Sequence, residues 1–193
     1  MSAALLLPRK KFTREDVERM VAAGLFEDQR YELIDGELID KMGQNPPHAS
    51  TIRRSGNALG SWFGFERVQA QLPIEAGVPD RERSLPEPDL AVLRESKPDY
   101  DWRHPRGDEV LLVLEVGDTT AQFDLQRKAT LYARAGVPEY WVLDLPRRLL
   151  VIHRQTDGNQ YKLVQIFSED EIVSAEGRSE AIRVRELLPV PSE

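Results

Sequence analysis

Two charged side chains stand where the surrounding sequence calls for apolar ones. Glu115 lies in the aliphatic run "LLVLEV" (Leu111–Val116). Side chains alternate along a strand, so Leu111, Val113 and Glu115 are expected on one face and Leu112, Leu114 and Val116 on the other. A run apolar on both faces belongs to an interior strand, where an unpartnered carboxylate is strongly disfavoured. Glu115 must reach water at the strand's end, pair with a cation, or bind a metal. Lys128 poses the mirror problem. At about 100° per residue, a helix over residues 120 to 135 places Ala121, Leu125, Leu131, Tyr132 and Ala135 beside Lys128, with Gln126, Ala133 and Arg134 round the other side. The lysine is then in the middle of the stripe that faces the sheet. A snorkelling stem or an i,i+4 pair with Asp124 would account for it. So would a functional site, in which Lys128 meets Glu115 at the edge of a core. Asp89, following Pro88 and sharing a face with Ala91 and Leu93, is unremarkable alone as a turn aspartate. With Glu115 it supplies two carboxylates on neighbouring strands, the oxygen-rich arrangement that Mg²⁺ requires.

The elements that must position these residues are legible in outline. Thr13 caps a first helix that ends near Gly24, and "YELIDGELI" reads as a β-hairpin about Asp35-Gly36. The loop "QNPPHAS" leads to a second helix over residues 48 to 63. Strands are expected at "RVQAQLPIEA", "PDLAVLR" and "VLLVLEV", then the helix capped by Gly136, then a meander of "EYWVLD", "RLLVIHRQ" and "QYKLVQIF". The tail returns to the body through "AIRVREL". This order is a mixed α/β domain, a central sheet with helices on its faces.

Bulk properties narrow the function. The chain has 193 residues, 40% hydrophobic and 31% charged, which suits one domain with a sizeable core. Its net charge of −7 argues against bulk attraction to phosphate, but not against an enzyme with a metal and a local basic patch. Without cysteine there is no disulfide, thiol nucleophile or cysteine-rich zinc site. "MSAALLLPRK" is too short in its apolar run for a signal peptide, and nothing approaches the length of a membrane span, so a soluble cytoplasmic protein is expected. No GxGxxG, Walker-type loop or HExxH occurs, and His48, His104 and His153 are far apart in sequence.

"EPD" (Glu87 to Asp89) and "LEV" (Leu114 to Val116) resemble the two acidic motifs of the PD-(D/E)XK nuclease superfamily. The superfamily's usual lysine stands two residues after the second acid, where this chain has Gly117, while Lys128 is a lysine displaced to the following helix. In that respect, and in "YELIDGEL", "PPHAS", "EPDLAV", "LEV" and "DLQRKATLYARAGVPEYWVLD", the chain is similar to the Uma-type (Uma-two) endonuclease family over nearly its whole length. "EVGDTT" departs from the serine-rich turn usual there. The resemblance implies one restriction-endonuclease-like α/β domain over residues 1–193, with a mixed central sheet flanked by helices and added β-hairpins. It implies hydrolysis of nucleic acid, DNA being the expected substrate. Asp89, Glu115 and the Val116 backbone carbonyl would hold Mg²⁺, with Mn²⁺ as a substitute, and Lys128 would serve the chemistry. Glu32 is a candidate fourth acid, or else an exposed strand residue. His48 matches the family's histidine after the hairpin, or else is a cap or surface residue. The alternative is a catalytically idle nuclease fold used for nucleic-acid or protein binding. A homodimer is expected, because cutting a duplex requires two cuts, with "EYWVLD" and the hairpins after it as candidate contacts. A catalytic Lys128 is further expected to tolerate replacement by methionine without loss of the fold.

Overall fold

Asp35 and Gly36 both adopt positive φ, 49° and 77°, as a two-residue hairpin turn requires. They join β1 (Tyr31–Ile34) to β2 (Glu37–Asp40) in a small antiparallel sheet of its own. Before it, α1 (Arg14–Ala22) opens with a capping box, Thr13 and Asp16 each accepting from the other's backbone N–H. The computed structural model describes residues 9–26, 29–41 and 45–191. The apolar run near the N-terminus and the first residue of the "QNPPHAS" loop lie outside them. The rest of that loop is largely helix: α2 (Pro46–Phe63) starts two residues earlier than expected, because proline suits the first turn and Asn45 caps it.

The central sheet has six strands in the order β3 (Val68–Ala70), β4 (Leu90–Leu93), β5 (Val110–Gly117), β6 (Glu139–Asp144), β7 (Leu149–Thr156) and β8 (Tyr161–Ser168). β5 and β6 run parallel and every other pair is antiparallel. The parallel pair needs a crossover, supplied by α3 (Ala121–Phe123), a π-helical turn (Asp124–Lys128) and α4 (Ala129–Ala135), closed by left-handed Gly136. This crossover covers one face of the sheet, where Ala129, Tyr132 and Ala133 meet Ala91, Val113, Tyr140 and Val142. The other face packs against Leu59, Trp62 and Phe63 of α2 and against α5 (Val184–Leu187), which follows the short pair β9 (Ile172–Val173) and β10 (Ile182–Arg183). The expected α/β architecture, with hairpins added to a mixed sheet between helices, is the one observed.

Several local expectations are corrected. β3 stops at Ala70 because Gln71 turns to a φ of 53°, so most of "RVQAQLPIEA" is not strand. The β4–β5 register slips between Val92 and Leu93, skipping Leu111. That bulge moves Leu111 to the α2 face, away from Val113, whereas Glu115 keeps the face of Val113. Ala133 is fully buried rather than outward, because the β7–β8 hairpin folds over it and Thr156 Oγ1 donates to its carbonyl at 3.1 Å. All six residues of "EYWVLD" are buried in the middle of the sheet, so they offer no dimer contact; on the edge strand β8, Val164 and Ile166 are exposed. Among the described residues no helix is long and apolar enough to cross a membrane.

Candidate active site

The antiparallel register pairs Leu90 with Leu114, which sets Asp89 opposite Glu115 at one end of the β4–β5 pair. The backbone ladder stops there and the Asp89 side chain continues it: Val116 N–H donates to Asp89 Oδ2 at 2.8 Å. Because N–H and C=O of one strand residue point the same way, the Val116 carbonyl also turns toward Asp89 rather than into the β5–β6 pairing. Asp89 and Glu115 are 3% and 2% exposed, so two acids face each other in a nearly dry setting.

Lys128 resolves the puzzle of both misplaced charges. Its Nζ lies 2.9 Å from Glu115 Oε1 and 2.7 Å from Glu32 Oε1, with Asp124 Oδ1 at 3.8 Å. Glu32 arrives from β1, because Ile34 and Ile39 of the first hairpin pack against Leu131 and Phe123 on the crossover. It is buried, not an exposed strand residue, and its Oε2 accepts from Glu87 N–H at 3.2 Å. The widened π-turn allows Asp124 and Lys128 to point inward together, and the Asp124 carbonyl, which accepts from Ala129 N–H within the turn, also accepts from Tyr140 Oη at 3.1 Å.

Gly117 explains why the lysine comes from the helix. A Cβ there would stand 2.6 Å from Ala121 Cα and 2.7 Å from Ala121 Cβ, so the crossover leaves no room for a side chain where the usual motif has lysine. The unusual "GDTT" turn has its own work: Thr120 Oγ1 donates to Asp124 Oδ2 at 2.9 Å, and Asp118 Oδ2 accepts from Asn45 Nδ2 at 2.6 Å. That second bond ties the turn to the start of α2, where Asn45 Oδ1 also caps the His48 N–H. His48 Nε2 lies 3.5 Å from Asp89 Oδ2, and its Nδ1 is buried without a hydrogen-bond partner among the described residues.

Tyr132 and Lys41 are the members that reading the sequence missed. Tyr132 Oη donates to Glu115 Oε1 at 2.7 Å. Its signal was present as the third member of Asp124, Lys128 and Tyr132 at i, i+4 and i+8, but a tyrosine on an apolar stripe reads as core. Lys41, just past β2, places Nζ 4.0 Å from Asp89 Oδ1, and nothing in its sequence context marks it.

Four carboxyls around so few cations cannot all ionise freely. Burial opposes charge on Glu115, but Lys128, Lys41 and the Tyr132 hydroxyl overcome it and hold its pKa below the ordinary value. Glu32 is raised, chiefly by burial, which Lys128 only partly offsets and nearby Glu115 reinforces. Asp89 is raised by burial and by Glu115, and Asp124 for the same two reasons is pushed up to about 7. Lys128 is raised despite burial, because Glu115, Glu32 and Asp124 surround it. It is therefore an ammonium at any physiological pH.

Apart from Tyr132, which lies behind Glu115, these groups line a cavity of about 610 Å³ together with Arg30, Asp118 and Phe123. Glu115 Oε2 and Asp89 Oδ1 accept no hydrogen bond among the described residues. With the Val116 carbonyl they are hard oxygen donors of the type Mg²⁺ takes. No three His, Asp or Glu side chains among the described residues converge to hold an ion by themselves. The donor set therefore fits an ion that keeps several waters, as Mg²⁺ does.

With this geometry in view, the comparisons decide the family. A family model described as "Putative restriction endonuclease", Uma2, matches residues 14–183. The chain belongs to the Uma2 family. No curated protein matches it. Among solved structures, the Uma2 chain is similar to one described as "a putative nuclease belonging to DUF820" from Anabaena variabilis ATCC 29413. The match has a TM-score of 0.62 and 15% identity, and covers 81% of this chain and 88% of that one. At that identity the likeness bears on the fold, which it supports over most of both chains.

Proposed function

We propose that this Uma2 protein is a metal-dependent endonuclease that hydrolyses phosphodiester bonds of nucleic acid, with DNA as substrate. The family description and the nuclease fold support the general activity. The observation that carries the finer reading is the orientation of Glu115. Lys128 and Tyr132 both donate to its Oε1, leaving Oε2 and Asp89 Oδ1 as open oxygens beside the cavity.

Asp89, Glu115 and the Val116 carbonyl would hold Mg²⁺, or Mn²⁺ in its place. Bound there, the ion would offset charge on the scissile phosphate and make a nearby water more acidic. Lys128, held as an ammonium, is suited to stabilise charge that develops on the phosphate and to orient the attacking water, not to accept its proton. Glu32 keeps the ammonium aimed across the cavity. To His48, whose Nε2 lies 3.5 Å from Asp89 Oδ2, we assign the role of taking up a proton during the reaction.

One observation favours a second reading. Lys128 already satisfies two carboxylates, an arrangement that would also suit an idle nuclease fold retained for binding. Incubation with supercoiled plasmid, linear duplex, single-stranded DNA and RNA, each with Mg²⁺ or Mn²⁺, separates the two. Nicking by the wild-type chain that Asp89→Asn abolishes supports the enzyme. Binding without cleavage of any substrate supports the idle module. We also propose a two-fold homodimer in the cytoplasm, using the exposed edge of β8. A monomer mass in light scattering at micromolar concentration would overturn the dimer.

A further inference from the structure

The cavity is lined by six acids (Glu32, Asp40, Asp89, Glu115, Asp118 and Asp124) and by three basic side chains of the lysine and arginine type, Arg30, Lys41 and Lys128. A nucleic-acid strand brings more negative charge to this surplus of carboxylates. Which of the cations is available to meet it follows from their partners. Lys128 is enclosed by Glu32, Glu115 and Asp124. The Arg30 guanidinium is engaged with the Glu87 carboxylate and with the Gln71 carbonyl at 3.2 Å. Lys41 differs. An ammonium has three protons to donate, and among the described residues only one of Lys41's meets an acceptor at hydrogen-bond distance, the Glu87 carbonyl at 2.6 Å. Asp89 Oδ1, at 4.0 Å, is beyond that reach.

We propose that Lys41 is a substrate-binding residue of this site, its ammonium taking a phosphate oxygen of the bound nucleic-acid strand. The inference rests on the endonuclease reading and extends it to a residue outside the acidic motifs and the helix lysine. The alternative is that Lys41 merely steadies the Glu87–Asp89 segment. That segment is already gripped by Arg30 on the Glu87 side chain and by Glu32 on the Glu87 N–H. The Lys41 side chain is 14% exposed, so its head still reaches the cavity. Its backbone is fixed by a 2.8 Å bond from its own N–H to the Arg30 carbonyl, which continues the first hairpin and gives the ammonium a rigid base. A cation held by Asp89 would set a like charge beside Lys41, and an incoming phosphate offsets both. The two lysines flank the acid pair from different elements, Lys41 beside Asp89 from just past β2 and Lys128 beside Glu115 from the π-turn. Lys128 is already paired with carboxylates beside the reacting centre, whereas among the described residues Lys41 keeps donors for a further phosphate oxygen.

The test uses the full chain and a short fluorescein-labelled DNA duplex, titrated by anisotropy in EDTA over a range of salt. Lys41→Met is expected to weaken binding about ten- to hundredfold, the loss of one charge-assisted hydrogen bond. It should also flatten the slope of log affinity against log salt by about 0.9, one phosphate contact. Lys41→Arg should recover most of both, which guards against misfolding of the methionine variant. In Mg²⁺ the same substitution should raise KM more than it lowers kcat. If Lys41→Met melts lower but binds the duplex with unchanged affinity and salt slope, Lys41 is a structural prop and the proposal fails. If the wild-type chain binds no duplex under any of these conditions, the endonuclease reading itself fails, and this inference with it.

Discussion

Tyr132 Oη donates to Glu115 Oε1 across 2.7 Å, and both residues are buried where the crossover helix packs on the sheet. The hydroxyl sits on the same oxygen that Lys128 takes, so it restricts rotation of the carboxylate and keeps Oε2 turned to the cavity. Tyr132→Phe keeps the ring packing and deletes the pin. Calorimetric titration with Mg²⁺ should show affinity reduced about 10- to 100-fold, the usual effect of losing a group that orients a metal ligand. Stability should fall by only about 1 kcal/mol. Unchanged Mg²⁺ affinity would show that Lys128 alone fixes Glu115.

Lys128→Met should abolish cleavage in a plasmid assay. The structure changes what is expected of stability, however. A lysine that neutralises Glu32 and Glu115 together leaves uncompensated buried carboxylates when it is removed, at a cost of roughly 3 kcal/mol or more. Urea unfolding at neutral pH should show that loss, and adding Glu32→Gln should recover part of it. A Lys128→Met chain as stable as wild type would mean that the carboxylates simply take up protons.

Asp124 sets a pH dependence with a definite sign. Burial and the neighbouring Glu115 push its pKa from 3.8 to about 7 in the folded chain. Between those values the folded state binds a proton that the unfolded state does not. The contribution is therefore present at low pH and lost as pH rises through the window. In EDTA, the stability of wild type relative to Asp124→Asn should fall by up to about 1.4 kcal/mol per pH unit from roughly pH 4 to 7, then level off. A difference that is flat over that range would show that Asp124 ionises normally.

Gly117→Ala should lower the melting temperature, because the new methyl meets Ala121 Cα at 2.6 Å and backbone must move. Overpacking of this kind costs about 1–3 kcal/mol. For the same reason, Gly117→Lys should not restore cleavage to the Lys128→Met chain. Rescue by that second change would mean that the start of the crossover is more yielding than its packing against Gly117 indicates.

Sequence alone determined what depends on short-range geometry and on the chemistry of isolated residues. The period of two along Val110–Gly117, the Asp35-Gly36 turn and the Gly136 cap each follow from local backbone preferences, so the elements and the α/β class were legible. Glu115 and Lys128 were conspicuous because a charge at an apolar position must be paired or lie at a site. Tertiary structure decided what depends on partners distant in the chain. That Glu32 is buried against Lys128, 96 residues away, follows from the first hairpin packing on the crossover, which no local pattern records. Register decided the rest. A bulge at Leu111 moves one leucine to the other face of the sheet without disturbing Glu115, and bulges arise from pairing between strands, not from the sequence of one. The π-turn likewise belongs to the tertiary structure: it lets Asp124 and Lys128 both face inward, and Tyr140 Oη, from the strand beneath, adds a second donor to the Asp124 carbonyl. Lys41 was invisible for the simplest reason. A lysine at the end of a hairpin is ordinary until the fold closes a cavity of acids around it.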